Sequence, residues 1–498
     1  MNLLNDIRYA LLPECILTVL IILSAIFVIF FRDKNKIIHH ISSIGAVIAL
    51  ISFAYIPIFG DNQALWESFA SNSFTVLFRI MIITGAIATF QLGQRYIANK
   101  SEHTGEFYLL IQIATLGAML LAGSNDLIMV FVALETLSIS CFALTGLLKC
   151  DKSSNEASLK YLVVGAASSA ILLYGFSFIY GFTGETQLDE IAKYINSNSL
   201  NIVLMAGFLF TVGGFSYKIA AVPFQVWAPD VYQGAPYSVA AFLSVVSKAA
   251  GFAVLIRVLS LFHNVIPAWE LTLSIIAVLT MTIGNIAAIG QSNIKRFMAY
   301  SSIAQAGYIL LGLAIATKAG IAGIIFYLIA YLLTNFGTWA AIGIHINNTG
   351  EDSIESFSGL AYRKPLLAGG LTICLLSLAG IPLTAGFISK FYLFQAVIMS
   401  GFNNIWLLFA ALINTIIAVY YYLRVIRAMF TINNQQEGVL LMTQSSSIKA
   451  VLAFTGFMVI FIGIIASPFI SLAELGARNI NLPDITTPYS KEFKFISK

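Results

Sequence analysis

Residues 201–236 read NIVLMAGFLFTVGGFSYKIAAVPFQVWAPDVYQGAP. The run is apolar as far as Phe215, then carries Ser216 and Lys218, and is broken by Pro223. A proline deletes a backbone hydrogen bond, and in lipid that is tolerated only beside protein or a wet cavity. An ionisable side chain at the centre of a span costs about 2.5–3.5 kcal/mol on insertion scales. The stretch therefore predicts a membrane helix interrupted at a polar interior. The rest of the chain has the same character. It holds 498 residues, 59% hydrophobic and 10% charged, with a mean hydropathy of +0.88. Soluble globular domains are about 25% charged. A soluble enzyme, a disordered chain and a nucleic-acid binder are excluded. A membrane β-barrel is excluded too, because the apolar stretches run near 20 residues without polar alternation.

Apolar runs predict an all-α membrane protein of about fourteen transmembrane helices. They lie near 9–31, 37–59, 74–93, 106–122, 126–148, 159–181, 201–222, 236–261, 269–290, 294–314, 318–346, 363–397, 402–426 and 449–470. The first run is too long for a signal-peptide core and reads as a retained span. The twelfth is too long for one straight helix. Basic residues orient the array. Loops on one side hold Arg32, Lys34, Lys36, Arg95, Lys100, Lys149, Lys152, Lys295, Arg296, Arg363, Lys364, Arg424, Arg427 and Lys449. The opposite loops hold Lys193, Arg257 and Lys318. The positive-inside rule puts the first set in the cytoplasm and both termini on the other side.

Five basic residues fall inside spans: Arg79, Lys160, Lys218, Lys248 and Lys390. Lys248 sits at the midpoint of span 8 among Ser244, Ser247 and Gly251, on a small, polar helix face. Lys218 precedes Pro223, and Lys390 follows Pro382. These two prolines are the helix breaks of spans 7 and 12. Paired interrupted helices in matching places point to a repeat and to a transport site. The expected units are an N-terminal group of three helices (1–105), a first five-helix repeat (106–261), an inverted second repeat (269–430), a last helix (449–470) and a tail (471–498), all in one polytopic domain. Glu135 reads as the one carboxylate deep in an uninterrupted span, able to stay charged beside a lysine and keep that lysine charged. Lys160 lies near the cytoplasmic side, where snorkelling competes with a buried role. Arg79 reads as a headgroup contact near the outer end of span 3. Ser301, Ser302, Gln305 and Tyr308 share one face of span 10; Tyr327, Tyr331, Thr334, Asn335 and Thr338 share one of span 11. Both faces suit helix packing as well as a hydrated path.

Cys15, Cys141, Cys150 and Cys374 show no CxxC spacing and read as small packing residues. No GxGxxG or GxxxxGK[ST] motif occurs. Buried lysines with a glutamate, and no metal or nucleotide motif, suit proton transfer. Desolvation disfavours an ammonium and a nearby carboxylate restores it, so a moving carboxylate could load or unload a lysine.

Four motifs carry a family resemblance over nearly the whole chain. They are SYKIAAVPFQVWAPDVYQGAP (216–236), Ser247-Lys248, KRFMAYSSIAQAGY (295–308) and GIPLTAGFISKF (380–391). The chain resembles the antiporter-like proton-pumping subunits, and among them the subunit N group of bacterial NADH:quinone oxidoreductase, respiratory complex I, the counterpart of mitochondrial subunit 2. A lysine at 390 fits that group; the M group has glutamate there, and the L group is longer, with a lateral helix. The resemblance implies a translocase subunit with no redox centre of its own. NADH, FMN, iron–sulfur clusters and quinone would be used in other subunits. Partners would be the membrane subunits M, L, K, J, A and H, the peripheral redox arm and lipids, in a bacterial inner membrane. It also implies roles: Glu135 modulates a lysine, Lys218 pumps in the first half, Lys248 connects, and Lys390 serves the second half toward the outer exit. The family often has histidine where this chain has Gln225 and Gln305, so a lysine–water path replaces an imidazole relay. The alternative is a subunit of a multisubunit cation/proton antiporter, whose core subunits share these motifs. A stand-alone solute transporter fits a string of lysines less well.

Overall fold

The computed structural model describes residues 7–30, 35–57, 62–197, 201–262, 266–432, 446–480 and 482–483. Arg32, Lys34 and most of the expected tail, with Lys491, Lys494 and Lys498, lie outside the described residues.

The first helices are α1 (Leu12–Phe30), α2 (Asn35–Ser52), α3 (Ser73–Lys100), α4 (Thr104–Gly123), α5 (Leu127–Thr145) and α6 (Lys152–Thr183). A short surface helix α7 (Leu188–Ser197) leads to α8 (Ile202–Ile219), α9 (Trp227–Gly234) and α10 (Tyr237–Ser260). Next come α11 (Ile266–Ile289), α12 (Ile294–Ala314), α13 (Lys318–Thr349) and a one-turn α14 (Leu360–Arg363). The chain continues through α15 (Pro365–Ala379), α16 (Ala385–Met399), α17 (Ile405–Phe430), α18 (Ser446–Ile464) and α19 (Ser467–Ala477). Among the described residues thirteen helices are long and apolar enough to cross a membrane. The shorter pair α15 and α16 occupies the place of the twelfth expected span. The protein is an all-α, multi-pass membrane protein.

Three features escaped the sequence reading. A small antiparallel hairpin pairs β1 (Asn62–Ala64) with β2 (Phe69–Ser71) between α2 and α3. The α7 helix is amphipathic and too short to span. The residues after 470 begin within α19, whose Gly476 packs against Leu77 and Ile325.

Burial sorts the helices. In lipid an outward apolar face needs no cover, so α1, α2, α6, α17 and α18 expose isoleucines, leucines and phenylalanines. At the other extreme α10 is entirely buried, packed against α3, α4, α8 and α13. With little hydrophobic drive between helices in lipid, close packing depends on small residues. At Gly307 in α12 a Cβ would lie 2.5 Å from the Met281 backbone nitrogen of α11.

The two breaks are built alike. Helix α8 ends at Ala220, in left-handed conformation, with Ala221 N–H bonded to the Ser216 carbonyl at 2.8 Å. Helix α15 ends at left-handed Gly380, with Ile381 N–H on the Leu376 carbonyl at 3.0 Å. Each is a six-to-one closure that satisfies terminal carbonyls before a proline that cannot continue the helix. The freed groups find side chains: Val222 N–H donates to Thr280 Oγ1 at 3.0 Å, and Trp227 Nε1 to the Tyr217 carbonyl at 3.1 Å. At the second break Gly386 lets the half-helices touch, since a Cβ there would lie 1.9 Å from the Ser377 carbonyl oxygen.

Candidate proton-transfer site

The buried lysines come from three helices around the middle of the molecule. Lys218, in the last turn of α8, is 2% exposed and donates to Ser138 Oγ of α5 at 3.0 Å. Its aliphatic stem lies against the open face at Gly251 of α10, three residues past Lys248. Lys248 is 2% exposed and donates to the Ser302 carbonyl of α12 at 2.6 Å. One turn earlier on α10, Ser244 Oγ donates to Asn335 Oδ1 at 2.9 Å. Lys390 is 4% exposed. Its ammonium donates to the Leu378 and Ala379 carbonyls at 3.0 and 3.2 Å, and stands 4.6 Å above the centre of the Tyr308 ring. It thus caps the carbonyl end of α15, the negative pole of that half-helix.

The polar faces of α12 and α13 fill the space between Lys248 and Lys390. Tyr331 donates to Ser302 Oγ at 3.0 Å. Tyr327 donates to Gln305 Oε1. Gln305 Nε2 in turn donates to the Tyr422 hydroxyl and to the Leu378 carbonyl, both at 3.1 Å. The Leu378 carbonyl therefore receives both Gln305 and Lys390. Only the single helical turn from Ser302 to Gln305 separates the partners of one lysine from those of the other. Thr334 and Ser377 hydroxyls lie 3.1 Å apart beside this row. The sequence reading left these faces equally suited to packing and to a path; every group named here is buried and hydrogen-bonded, and the row ends on a lysine at each side.

Glu135 stands differently from its expected place. It is half-buried, takes a hydrogen bond from Ser169 Oγ, and forms no ion pair with Lys218. Ser138, three residues along α5, occupies the ammonium instead, and Glu135 acts on Lys218 only through space. Gln305 is central, whereas Gln225 on the first break has a buried amide oxygen with no hydrogen-bond partner among the described residues.

Lys160 is not in the row. Its side chain is 46% exposed and pairs with Glu156 at 2.7 Å and Asp230 at 2.8 Å. Asp230 also receives Arg296 at 2.5 Å, and Gln233 takes a second bond from the same guanidinium at 3.1 Å. These groups line a polar cavity of about 300 Å³. Burial alone would raise the Asp230 carboxyl, but hydrogen bonds and charge from Lys160 and Arg296 hold it below the ordinary carboxylate value.

Two sequence expectations are corrected. Arg79 is no headgroup contact: it is fully buried, pairs with Glu14 at 3.0 Å, and donates to Ser71 Oγ at 2.6 Å and the Ala10 carbonyl at 2.8 Å. Its guanidinium lies over Phe69 and Phe53. Glu14, 4% exposed, is thus a second deep carboxylate. The signal was available, since Glu14 falls inside the first apolar run. Arg257 is not in a loop. It lies within α10, 9% exposed, and donates to Asn125 Oδ1 at 3.2 Å.

Similarity to known proteins follows the same lines. Residues 124–418 match the family described as NADH:quinone oxidoreductase/Mrp antiporter, transmembrane. The NAD(P)H-quinone oxidoreductase subunit 2 of Gloeobacter violaceus is 42% identical over 475 residues, 94% of this chain and 92% of that protein. A chain of respiratory complex I from Thermus thermophilus superposes with a TM-score of 0.78 at 29% identity, covering 93% of this chain and 99% of its own. A chain of the membrane-bound sulfane sulfur reductase, an archaeal respiratory membrane complex, superposes at 0.84 with 26% identity, covering 95% and 98%. The chain belongs to the NADH:quinone oxidoreductase/Mrp antiporter transmembrane family, alongside its NAD(P)H-quinone oxidoreductase subunit 2 members.

Proposed function

We propose that this chain is a proton-translocating membrane-arm subunit of a NAD(P)H:quinone oxidoreductase. The observation that carries the reading is the pair of buried hydrogen-bonded groups, Lys248 with Ser302 and Tyr331, and Gln305 with the Leu378 carbonyl and Lys390, one turn of α12 apart. Lys218 feeds the row from the first half across the Gly251 face. Glu135 sets the charge seen by Lys218 from one helical turn away. Electron transfer from NADH to quinone, with FMN and iron–sulfur clusters, is carried out in other subunits. The partners are the neighbouring membrane subunits and the peripheral arm. The location is a bacterial inner membrane, with the Lys160–Asp230–Arg296 cavity on the cytoplasmic side and both termini periplasmic. This sidedness rests on the distribution of basic loops. The two halves, 106–261 and 269–430, are inverted copies, supported by their like-built breaks.

The test is Lys248→Met in the assembled enzyme, reconstituted into liposomes. Methionine keeps the length and apolar stem and removes the proton carrier. Proton pumping is expected to collapse while the subunit still assembles with a flavin-containing arm; normal pumping would sink the relay. If the purified chain brings no flavin or NADH oxidation and instead gives sodium-dependent pH changes in vesicles, the Mrp-type antiporter reading replaces this one.

A further inference from the structure

Away from the lysine row, α13, α15 and α18 enclose an open groove of about 920 Å³ on the surface of the second half. Its walls are apolar, with Leu366, Leu452, Phe457 and Ile460 among them. Its floor includes Gly369 and Gly456, and a Cβ at either position would meet nothing within 4 Å. Bare backbone, not a packed side chain, leaves this space.

Two cations stand in the same groove, Lys364 at the start of α15 and Lys449 in the first turn of α18. They come from different helices yet lie close enough to repel one another, and Arg363 adds to the repulsion. Among the described residues neither lysine forms an ion pair with a carboxylate. The charge here asks for an anion. The length says what kind. From Lys449 to Ile460 the groove follows eleven residues of helix, about 16 Å at 1.5 Å per residue. That is one leaflet of a hydrocarbon core of about 30 Å, too short for a partner's spanning helix.

We propose that the groove holds one anionic phospholipid, its phosphate between Lys364 and Lys449 and an acyl chain lying along Gly369 and Gly456. Both lysines stand at helix starts on the basic side of the molecule, so the lipid belongs to that leaflet.

The test uses the assembled complex in detergent and a photoactivatable phosphatidylglycerol carrying its reactive group on the acyl chain. Labelling is mapped by peptide mass spectrometry. Peptides of α18 between Leu452 and Ile460 are expected to be tagged, with unlabelled phosphatidylglycerol competing and phosphatidylcholine not. Each surface lysine contributes about a fivefold change in affinity for an acidic lipid, so Lys364→Gln with Lys449→Gln weakens labelling about thirtyfold. Gly456→Leu puts an apolar side chain into the groove at a position where an added Cβ meets nothing within 4 Å, and abolishes labelling while the subunit still assembles. Equal competition by phosphatidylcholine means an unselective annular lipid and overturns the proposal. So does an unchanged affinity in the double lysine variant. Absence of any tag in wild type means that protein covers the groove, and overturns it as well.

Discussion

Lys390 shows why a lysine is stable next to a broken helix. A helix end leaves carbonyls without partners, and at depth in a membrane water cannot be counted on to supply them. The Lys390 ammonium takes two of them. Lys218 solves its burial differently, with a serine from a neighbouring helix. The two lysines are therefore not equivalent, one lying before its break and the other after. Buried ions at this scale are costly singly and tolerable in pairs. Arg79 and Glu14 illustrate it. Removing one partner of a buried pair costs about 3–5 kcal/mol, whereas replacing both is far milder. Glu14→Gln is thus expected to lower the thermal stability of the detergent-purified chain, and the double variant Glu14→Gln, Arg79→Met to recover much of the loss. A double variant no better than the single one would show that the arginine's bonds to Ser71 and Ala10, not the ion pair, hold these helices.

Among the elements, the breaks decide where polar backbone is available. The second depends on a glycine: at Gly386 any Cβ would overlap the Ser377 carbonyl. Gly386→Ala must push α15 and α16 apart and shift the two carbonyls that hold Lys390. Its melting temperature should fall clearly below that of Gly369→Ala, a same-sized change in α15 that meets nothing within 4 Å. Matching melting temperatures would mean the half-helices separate freely. The prolines announced both breaks in the sequence. Their detailed closure did not show there, because Val222 is capped by Thr280, which lies far along the chain.

For the whole molecule, Asp230 ties α9 to two helices distant in sequence. Lys160 reaches it from α6 and Arg296 from α12. Because its carboxyl is held below the ordinary carboxylate value, its contribution is complete above that value. It is lost as pH falls through the depressed one. Stability of the purified chain followed from neutral to acid pH should show this loss in wild type. Asp230→Asn should be less stable at neutral pH and flatter toward acid, with the two curves converging. Parallel curves would place the pH sensitivity elsewhere. Since these groups are about one-third to one-half exposed, solvent screens the network and the difference is small.

Length, hydropathy and the odd residues within apolar runs determined by themselves that this is a many-span helical membrane protein, where its helices break, and that Lys218, Lys248 and Lys390 lie inside it, though not that Lys160 is half exposed. They did so because lipid penalises polar groups strongly enough that each exception is visible one residue at a time. Pairing was another matter. Glu135 sits on the same helix as Ser138, and the sequence favoured the carboxylate as a lysine's neighbour; only the tertiary placement of α5 relative to the end of α8 gives the place beside Lys218 to the serine. Arg79 found Glu14 across 65 residues, and Gln305 and Lys390 meet on one carbonyl of a third helix. Such contacts depend on the rotation of each helix about its axis. Nearly every helix here is apolar on most of its faces, so hydrophobic periodicity cannot set that rotation, and the tertiary structure decides it.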